Sequence, residues 1–241
     1  MISNISYQLS CFADYSFMEY NKEDVVKLLE GFKFIELVPH LVKEINPNGS
    51  VSQRMHFTAE DKLGQYQIFL NSERIDISIT SIIKTGFTES DIPKISSILE
   101  KILSNIYSIY GKKFSLPYRL AWTTDYVYFD NTDEEKSAYK NKFLREIRFF
   151  KKNPSKDMIA RFATQRKVVI NKRPENLNVL ATINYVVFES SHELKFEGYK
   201  INYDINSSQW DRNNRFDLMS VSGFIKIAIK LQKEINKDIL P

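Results

Sequence analysis

The sequence predicts an α+β fold in which a β-α-β4-α unit occurs twice, the copies forming a pseudo-two-fold antiparallel sheet with helices on one face. Three observations lead to this prediction. The stretches Tyr7 to Glu19 and Tyr118 to Asp130 share tyrosine, leucine, an Asp-Tyr pair and a final acid at a constant offset of 111 positions. Strand and helix patterns then follow in the same order, and a long amphipathic helix ends each half. The predicted domains are residues 1–114 and 115–241.

The first domain shows its elements through side-chain periodicity. Residues 5–19 have strand composition, and Asn21 is placed to cap a short helix. The segment RIDISIT, residues 74–80, alternates isoleucine with polar residues, which is typical of a half-buried strand. An isoleucine and leucine stripe predicts a helix over residues 92–110. Further strands are predicted at residues 34–45, 51–58 and 65–70.

The second domain repeats this order. A strand over residues 118–130 is followed by a capping box that begins at Thr132, and the helix it starts is predicted to run to about Phe150. The segment KINYDIN, residues 200–206, occupies the place of RIDISIT. A final helix is predicted at about residues 216–239. The four strands between these helices are predicted at residues 158–163, 167–170, 177–188 and 199–205.

The tandem β-α-β4-α order resembles the topology of the TATA-binding-protein-like fold over the whole chain. The resemblance implies a two-fold pair of sheets, and it concerns topology alone because the DNA-contacting residues of that family are not recognisable here. The segments RIDISIT, ENLNVLATINY and YDIN are also similar to those of a sporadically distributed family of uncharacterised bacterial proteins. That family has no assigned activity, so this second resemblance implies no function.

Several kinds of chemistry are not indicated. The seven glycines are dispersed, whereas phosphate-cradling loops need clustered glycines for close backbone approach. The only cysteine, Cys11, allows no internal disulfide, and His40, His56 and His192 have no ligand spacing along the chain. No metal, no cofactor and no catalytic residue is therefore predicted. No uncharged apolar run approaches the ~20 residues of a membrane helix, so we expect a cytoplasmic protein without a membrane partner.

Asp14 and Asp125 are the two acids that the repeat relates to each other. Paired carboxylates can act as acid and base or bind a cation. The competing interpretation is structural, because an aspartate in a strand can satisfy a bulge or cap a neighbouring turn. No other catalytic motif accompanies the pair, so we favour the structural role.

The charge of the chain is unevenly distributed. Residues 140–173 contain twelve lysines and arginines but two acids, so this segment carries +10 and the remainder carries −6 of the overall +4. Such a surface is suited to phosphates or to an acidic protein, although a solvated face would look the same. The candidate binding residues are Lys142, Arg145, Arg148, Lys152, Arg161, Arg166, Lys167, Lys172 and Arg173.

These observations predict a non-enzymatic binding or interaction protein of bacterial or phage origin. We expect its partner to be another protein or a second copy of the chain. The alternative is a nucleic-acid-binding protein that uses the basic segment 140–173. An enzyme that uses Asp14 and Asp125 is the third hypothesis, and nothing else in the sequence supports it.

Overall fold

Nine antiparallel strands form one continuous sheet in the computed structural model, which describes residues 2–45, 49–83, 86–129, 159–189 and 195–239. Together with three helices, this sheet confirms the predicted α+β class. The strand order is β2-β3-β4-β5-β1-β6-β9-β8-β7. The strands are β1 (Ile2–Phe12), β2 (Val38–Ile45), β3 (Val51–Glu60), β4 (Gln65–Leu70), β5 (Arg74–Thr80), β6 (Arg119–Phe129), β7 (Ile159–Ile170), β8 (Arg173–Glu189) and β9 (Lys195–Ser207).

The centre of the sheet is the antiparallel pair β1 and β6. Tyr7 lies opposite Thr124 and Leu9 lies opposite Trp122, with a register shift between Asn4 and Ser6. The outer edge of β1 pairs with β5, and the outer edge of β6 pairs with β9. Parts of the two repeated stretches therefore lie in the adjacent strands β1 and β6, which join the two halves edge to edge.

Three helices are described, and each has a capping residue or a glycine at one end. Helix α1 (Lys22–Gly31) begins after Asn21, whose side-chain oxygen accepts a hydrogen bond from the Glu23 amide. Helix α2 (Ile92–Tyr110) ends at Gly111, which has a positive φ of 54°. Helix α3 (Leu218–Ile239) follows Asp217, which accepts a hydrogen bond from the Ser220 amide. None of these three is long and apolar enough to cross a membrane.

The main core lies between one face of the sheet and the helices. Alternate residues of a strand point to the same face, so the buried residues Tyr7, Leu9 and Cys11 of β1 share a face with the three isoleucines of β5. Helices α2 and α3 pack on this face, and the Trp122 indole donates to Gln232 of α3 at 3.3 Å. Residues from both halves belong to this cluster, so the core crosses the boundary between residues 114 and 115.

The predicted strands at residues 158–163 and 167–170 were wrong as separate elements, because both belong to the single strand β7. The polar residues between them suit an exposed edge strand, so they do not end it. The chain turns instead at Asn171 and Lys172, which both have positive φ and connect β7 to β8 in two residues. Within the described residues, three strands rather than four therefore follow β6.

Two strands of the first half also differ from prediction. The strand predicted over 5–19 ends at Phe12, because the Ala13 and Tyr15 amides donate to carbonyls in the β4–β5 turn. The strand predicted over 34–45 begins at Val38. The helix predicted from Thr132 to Phe150 lies outside the described residues.

An ion pair holds the end of the first half together. Arg54, 2% exposed, donates to Glu44 at 2.6 Å and to the Ser16 carbonyl at 3.0 Å. Glu44 also accepts from the amide and hydroxyl of Ser72. Partial burial alone would raise the pKa of Glu44, but the hydrogen bonds from Arg54 and Ser72 hold it below its ordinary value. This contact joins β2, β3, the segment after β1 and the β4–β5 turn.

We expect Glu44→Gln to lower the free energy of unfolding at pH 7 by about 3 kcal/mol, because it leaves the buried Arg54 charge without its carboxylate. The lowered pKa means that this contribution is present above the ordinary value of 4.5 and is lost as the pH falls through the folded-state pKa. Denaturant unfolding of both proteins from pH 7 to pH 3 measures the difference. Glu36→Gln, at an exposed position, is the control, and an equal effect of both substitutions would contradict the role of Glu44.

Candidate functional site

The face of the sheet opposite the three helices is here called the open face, because none of the helices in the described ranges lies on it. Its residues are the strand positions that alternate with the core positions. An antiparallel sheet can expose one face to water, and that face is then polar. The open face is polar at its centre, and the side chains there are joined by hydrogen bonds from strand to strand.

Asp76 of β5 is the first fixed point of the open face. It is 6% exposed and forms an ion pair with Arg74, whose Nε lies 2.7 Å from the carboxylate. The Ser10 hydroxyl donates to the same carboxylate at 2.6 Å, and the Gln8 amide donates at 3.1 Å. The Asp76 carboxylate is therefore held by two residues of the neighbouring strand β1 and by the guanidinium of Arg74.

Asp125 of β6 is the second fixed point. It accepts a hydrogen bond from the Asn202 amide at 2.9 Å and from the Ser6 hydroxyl at 3.2 Å. The Lys200 ammonium lies 3.4 Å from Oδ2 of Asp125, the oxygen that also accepts from Ser6. Asp125 thus connects β1, β6 and β9 and has its own cation.

A chain of amides extends the pattern to the edge of the sheet. Gln165 donates to Asn178 at 3.0 Å, Asn178 donates to Asn206 at 3.1 Å, and Asn206 donates to Asp204 at 3.0 Å. Each donating amide uses one of its two N–H groups in this chain, so one N–H of each remains for a further partner. The bonds around Asp76, around Asp125 and along this chain are together called the polar array. It covers six adjacent strands, β5, β1, β6, β9, β8 and β7.

Phe12 of β1 lies on the open face between two guanidinium groups. The Arg119 carbon Cζ is 4.6 Å from the ring centroid, and the Arg74 Cζ is 5.7 Å away. Arg74 has Asp76 as its counter-charge. Among the described residues Arg119 has no carboxylate partner, and its buried Nε has no hydrogen-bond acceptor.

Beside Arg119 the open face forms a groove of about 520 Å³, here called the groove. It is lined by the amide chain and by the apolar residues Ala163 of β7 and Leu180 of β8. At its edge lies Trp210, which is 87% exposed and follows β9. The lining residues are Arg119, Arg161, Ala163, Thr164, Gln165, Asn178, Leu180, Asp204, Asn206, Gln209 and Trp210.

The pairing of β2 with β3 places His40 directly opposite His56. Their ring centroids are 5.4 Å apart, and His56 stacks on Phe69 at 3.8 Å. His40 shares a hydrogen bond with Thr58 at 2.8 Å. Burial, together with the neighbouring His40, lowers the pKa of His56. No group of three or more potential metal ligands of the histidine, cysteine and carboxylate types occurs in the described part of the chain.

The described members of the basic segment are divided between the two faces. Arg161 and Lys167 of β7 belong to the open face, opposite Thr182 and Asn176. Arg166 belongs to the other face and lies 3.5 Å from Glu234 of α3.

The remaining basic candidates lie at the β7–β8 turn or outside the described residues. Lys172 is in the turn, and Arg173 begins β8. Hydrogen bonds from Ser220 lower the pKa of Asp217, and the charge of Arg173 contributes to this effect. The structure therefore joins Arg161 and Lys167 to one surface. The candidates Lys142, Arg145, Arg148 and Lys152 lie outside the described residues.

The acids of the sequence repeat have different surroundings. Asp125 lies within β6 as described above, whereas Asp14 lies beyond the end of β1 in an exposed turn. Hydrogen bonds from the Ser16 hydroxyl and amide hold the pKa of Asp14 below its ordinary value. Asp14 thus serves a turn, and Asp125 belongs to the polar array.

Several residues of this surface were not singled out as site residues from the sequence, because strand register brings them together. The pairing of Ile45 with Val51 continues along both strands and places His40 opposite His56. The turn at Asn171 and Lys172 determines the alignment of Gln165 with Asn178. Counting outward from the two inner ends of these strand pairs would have found both oppositions. No such signal marks Trp210, because its exposure depends on the loop after β9.

We expect the stability to fall as the pH drops below about 6.5, the ordinary pKa of histidine, because the folded state favours neutral His56. His56→Gln should flatten the unfolding free energy between pH 7.5 and 5.5, and His40→Gln should do so partly, since burial is the larger cause. Denaturant unfolding across this pH range measures both effects. A wild-type profile identical to that of His56→Gln would contradict this role.

No model of a protein family matches the chain, and no curated protein has a significantly similar sequence. The open face is therefore the feature of this chain that bears on its function.

Proposed function

We propose that this chain is a non-enzymatic binding protein that holds a macromolecular partner on its open face. The observation that carries the proposal is the polar array, which orders side chains over six strands. A face that merely contacts water does not need such fixed side chains, and ordering them costs conformational entropy. Side chains already held in place lose less freedom when a partner binds.

The same proposal includes an internal duplication. RIDISIT in β5 and KINYDIN in β9 are offset by 126 positions, and α2 and α3 begin at Ile92 and Leu218, which is the same offset. Strand order also supports it, since outward from the centre the halves read β1-β5-β4-β3 and β6-β9-β8-β7. We infer a pseudo-two-fold axis near the β1–β6 pair.

Strand pairing refines which residues correspond under this duplication. If Asp76 corresponds to Asn202, their partners Ser10 and Asp125 correspond as well, because each pair lies directly opposite in its own half. The first strands then differ by 115 positions, four more than the offset that relates Asp14 to Asp125. Each half would thus contain one carboxylate bonded to a neutral neighbour, on β5 in one half and on β6 in the other.

Oriented attachment tests whether the partner binds the open face. The only native thiol, Cys11, is buried, so Lys226→Cys on α3 or Gln67→Cys on the open face supplies one accessible thiol. Protein attached to a sensor surface through Lys226→Cys leaves its open face accessible. We expect it to retain uncoupled protein in solution, or a component of a nuclease-treated bacterial extract, at least fivefold better than protein attached through Gln67→Cys. Interferometry measures the retention. Equal retention in both orientations would contradict an open-face site.

Nucleic-acid binding is the second candidate function, and the position of Arg161 and Lys167 on the open face favours it. Neither has a carboxylate within salt-bridge distance in the described ranges, and Arg119 lies on the same face. Cations that neutralise phosphates release counterions, which makes binding depend steeply on salt.

We expect labelled DNA or RNA to bind at low salt and to weaken with a slope set by the number of phosphate contacts. The double substitution Arg161→Glu and Lys167→Glu should weaken binding at least tenfold. Lys226→Glu with Lys230→Glu makes the same charge change on exposed positions of α3 and should have a small effect. Arg145→Glu with Arg148→Glu tests the part of the basic segment outside the described residues. Fluorescence titration at two salt concentrations measures each, and salt-independent binding would contradict this function.

A further inference from the structure

We propose that the groove is a binding site for single-stranded nucleic acid, in which Trp210 stacks on an unpaired base and Arg119 and Arg161 bind the phosphate backbone. The proposal rests on the second candidate function and names its site and its form of ligand. Three features of the groove carry it: its guanidinium groups, which have no carboxylate partner among the described residues, its exposed indole and its remaining amide donors.

The charge of the groove favours an anion. Arg119 and Arg161 line it together with one acid, Asp204, which accepts a hydrogen bond from Asn206. Elsewhere on the open face the carboxylates of Asp76 and Asp125 have their own cations. Throughout the described ranges neither Arg119 nor Arg161 has a carboxylate partner. Guanidinium groups bind phosphate oxygens through paired N–H donors, so the groove has two places for a backbone phosphate.

The exposed side chain of Trp210 favours a ligand with a flat, apolar ring. An indole that is 87% exposed leaves a large apolar surface in water, and a base stacked on it would remove that surface. The loop that carries it is held in place, because Arg215 donates to Glu175 at 2.9 Å and to the Asp211 carbonyl at 2.7 Å. The indole is therefore presented by an anchored loop.

The amide chain that lines the groove offers hydrogen bonds to base edges. Gln165, Asn178 and Asn206 each retain one N–H donor after the amide chain is formed. Side-chain amides are among the groups that bind base edges in nucleic-acid complexes. The volume of about 520 Å³ lies within the range of small-ligand sites, so the groove fits one or two nucleotides of a longer strand.

A single strand fits these features better than a duplex or an acidic peptide. In a duplex the base faces are already stacked on one another, so Trp210 would gain nothing. An acidic peptide would satisfy the two guanidinium groups but not the indole. Stacking on the indole combined with phosphate binding requires a base that is unpaired and linked to a backbone.

The two tryptophans allow a direct test. Trp122 is fully buried, whereas Trp210 is exposed, so a ligand that stacks in the groove changes the emission of Trp210 alone. We expect a ten-residue thymidine oligonucleotide at low salt to quench wild-type emission saturably and to leave Trp210→Ala unquenched. A duplex of equal length and polyglutamate should quench far less. Anisotropy of the labelled oligonucleotide should show about tenfold weaker binding to Trp210→Ala.

A pair of substitutions on one strand gives the matched control. Arg161→Gln removes one of the two groove cations and should weaken oligonucleotide binding several-fold and reduce the salt slope by about one. Arg166→Gln removes the same charge from the opposite face of β7 and should leave binding unchanged. Each variant is first checked for a wild-type circular dichroism spectrum and unfolding midpoint.

The other outcomes separate the two proposals. Oligonucleotide binding without loss in Trp210→Ala and Arg161→Gln would overturn the groove site and leave nucleic-acid binding standing. No binding of any oligonucleotide at low salt would overturn both. Equal quenching by polyglutamate would identify an acidic protein segment as the ligand and would overturn the nucleic-acid assignment.

Discussion

The pairing of β1 with β6 is the contact on which the rest of the structure depends. It joins strands about 110 residues apart in the chain, and it makes one sheet from two halves. The core that includes Tyr7, Leu9 and Trp122 forms on one side of this pair. Ser6 and Asp125 meet on the other side. Without this pairing, neither the shared core nor a polar array on one sheet face would exist.

Side chains alternate along each strand between the face that the helices cover and the open face, and the two sets have different roles. Helices cover the apolar side chains of every second residue, and hydrophobic burial there supplies the driving force for folding. The intervening residues are free of that requirement, so they can be polar and can bond to one another. The ion pairs and amides of the open face are partly buried by their neighbours and have mutual partners, which limits the cost of removing them from water.

Local patterns predicted the elements well, and register accounts for most of what they did not predict. The alternation of RIDISIT and the stripe of α2 identify strand and helix because each pattern lies within one element. The polar middle of β7 looked like a turn, since an edge strand does not need alternating apolar residues. The polar array depends on which residue lies opposite which, and a single-residue slip would move every member to the other face. Trp210 shows a third limit, because side-chain exposure in a loop follows from tertiary contacts.

The central position of β1 also affects how the chain is made. During synthesis β1 can pair with β5 as soon as residues 74–80 emerge, but its other edge has no partner until residues 119–129 follow. Through that interval the first half presents an unpaired strand edge next to a hydrophobic surface, which is the geometry that promotes intermolecular strand pairing. A fragment that ends before β6 would keep this edge permanently. Translation speed and chaperone access between these two points would thus govern how much chain reaches the native sheet rather than an aggregate.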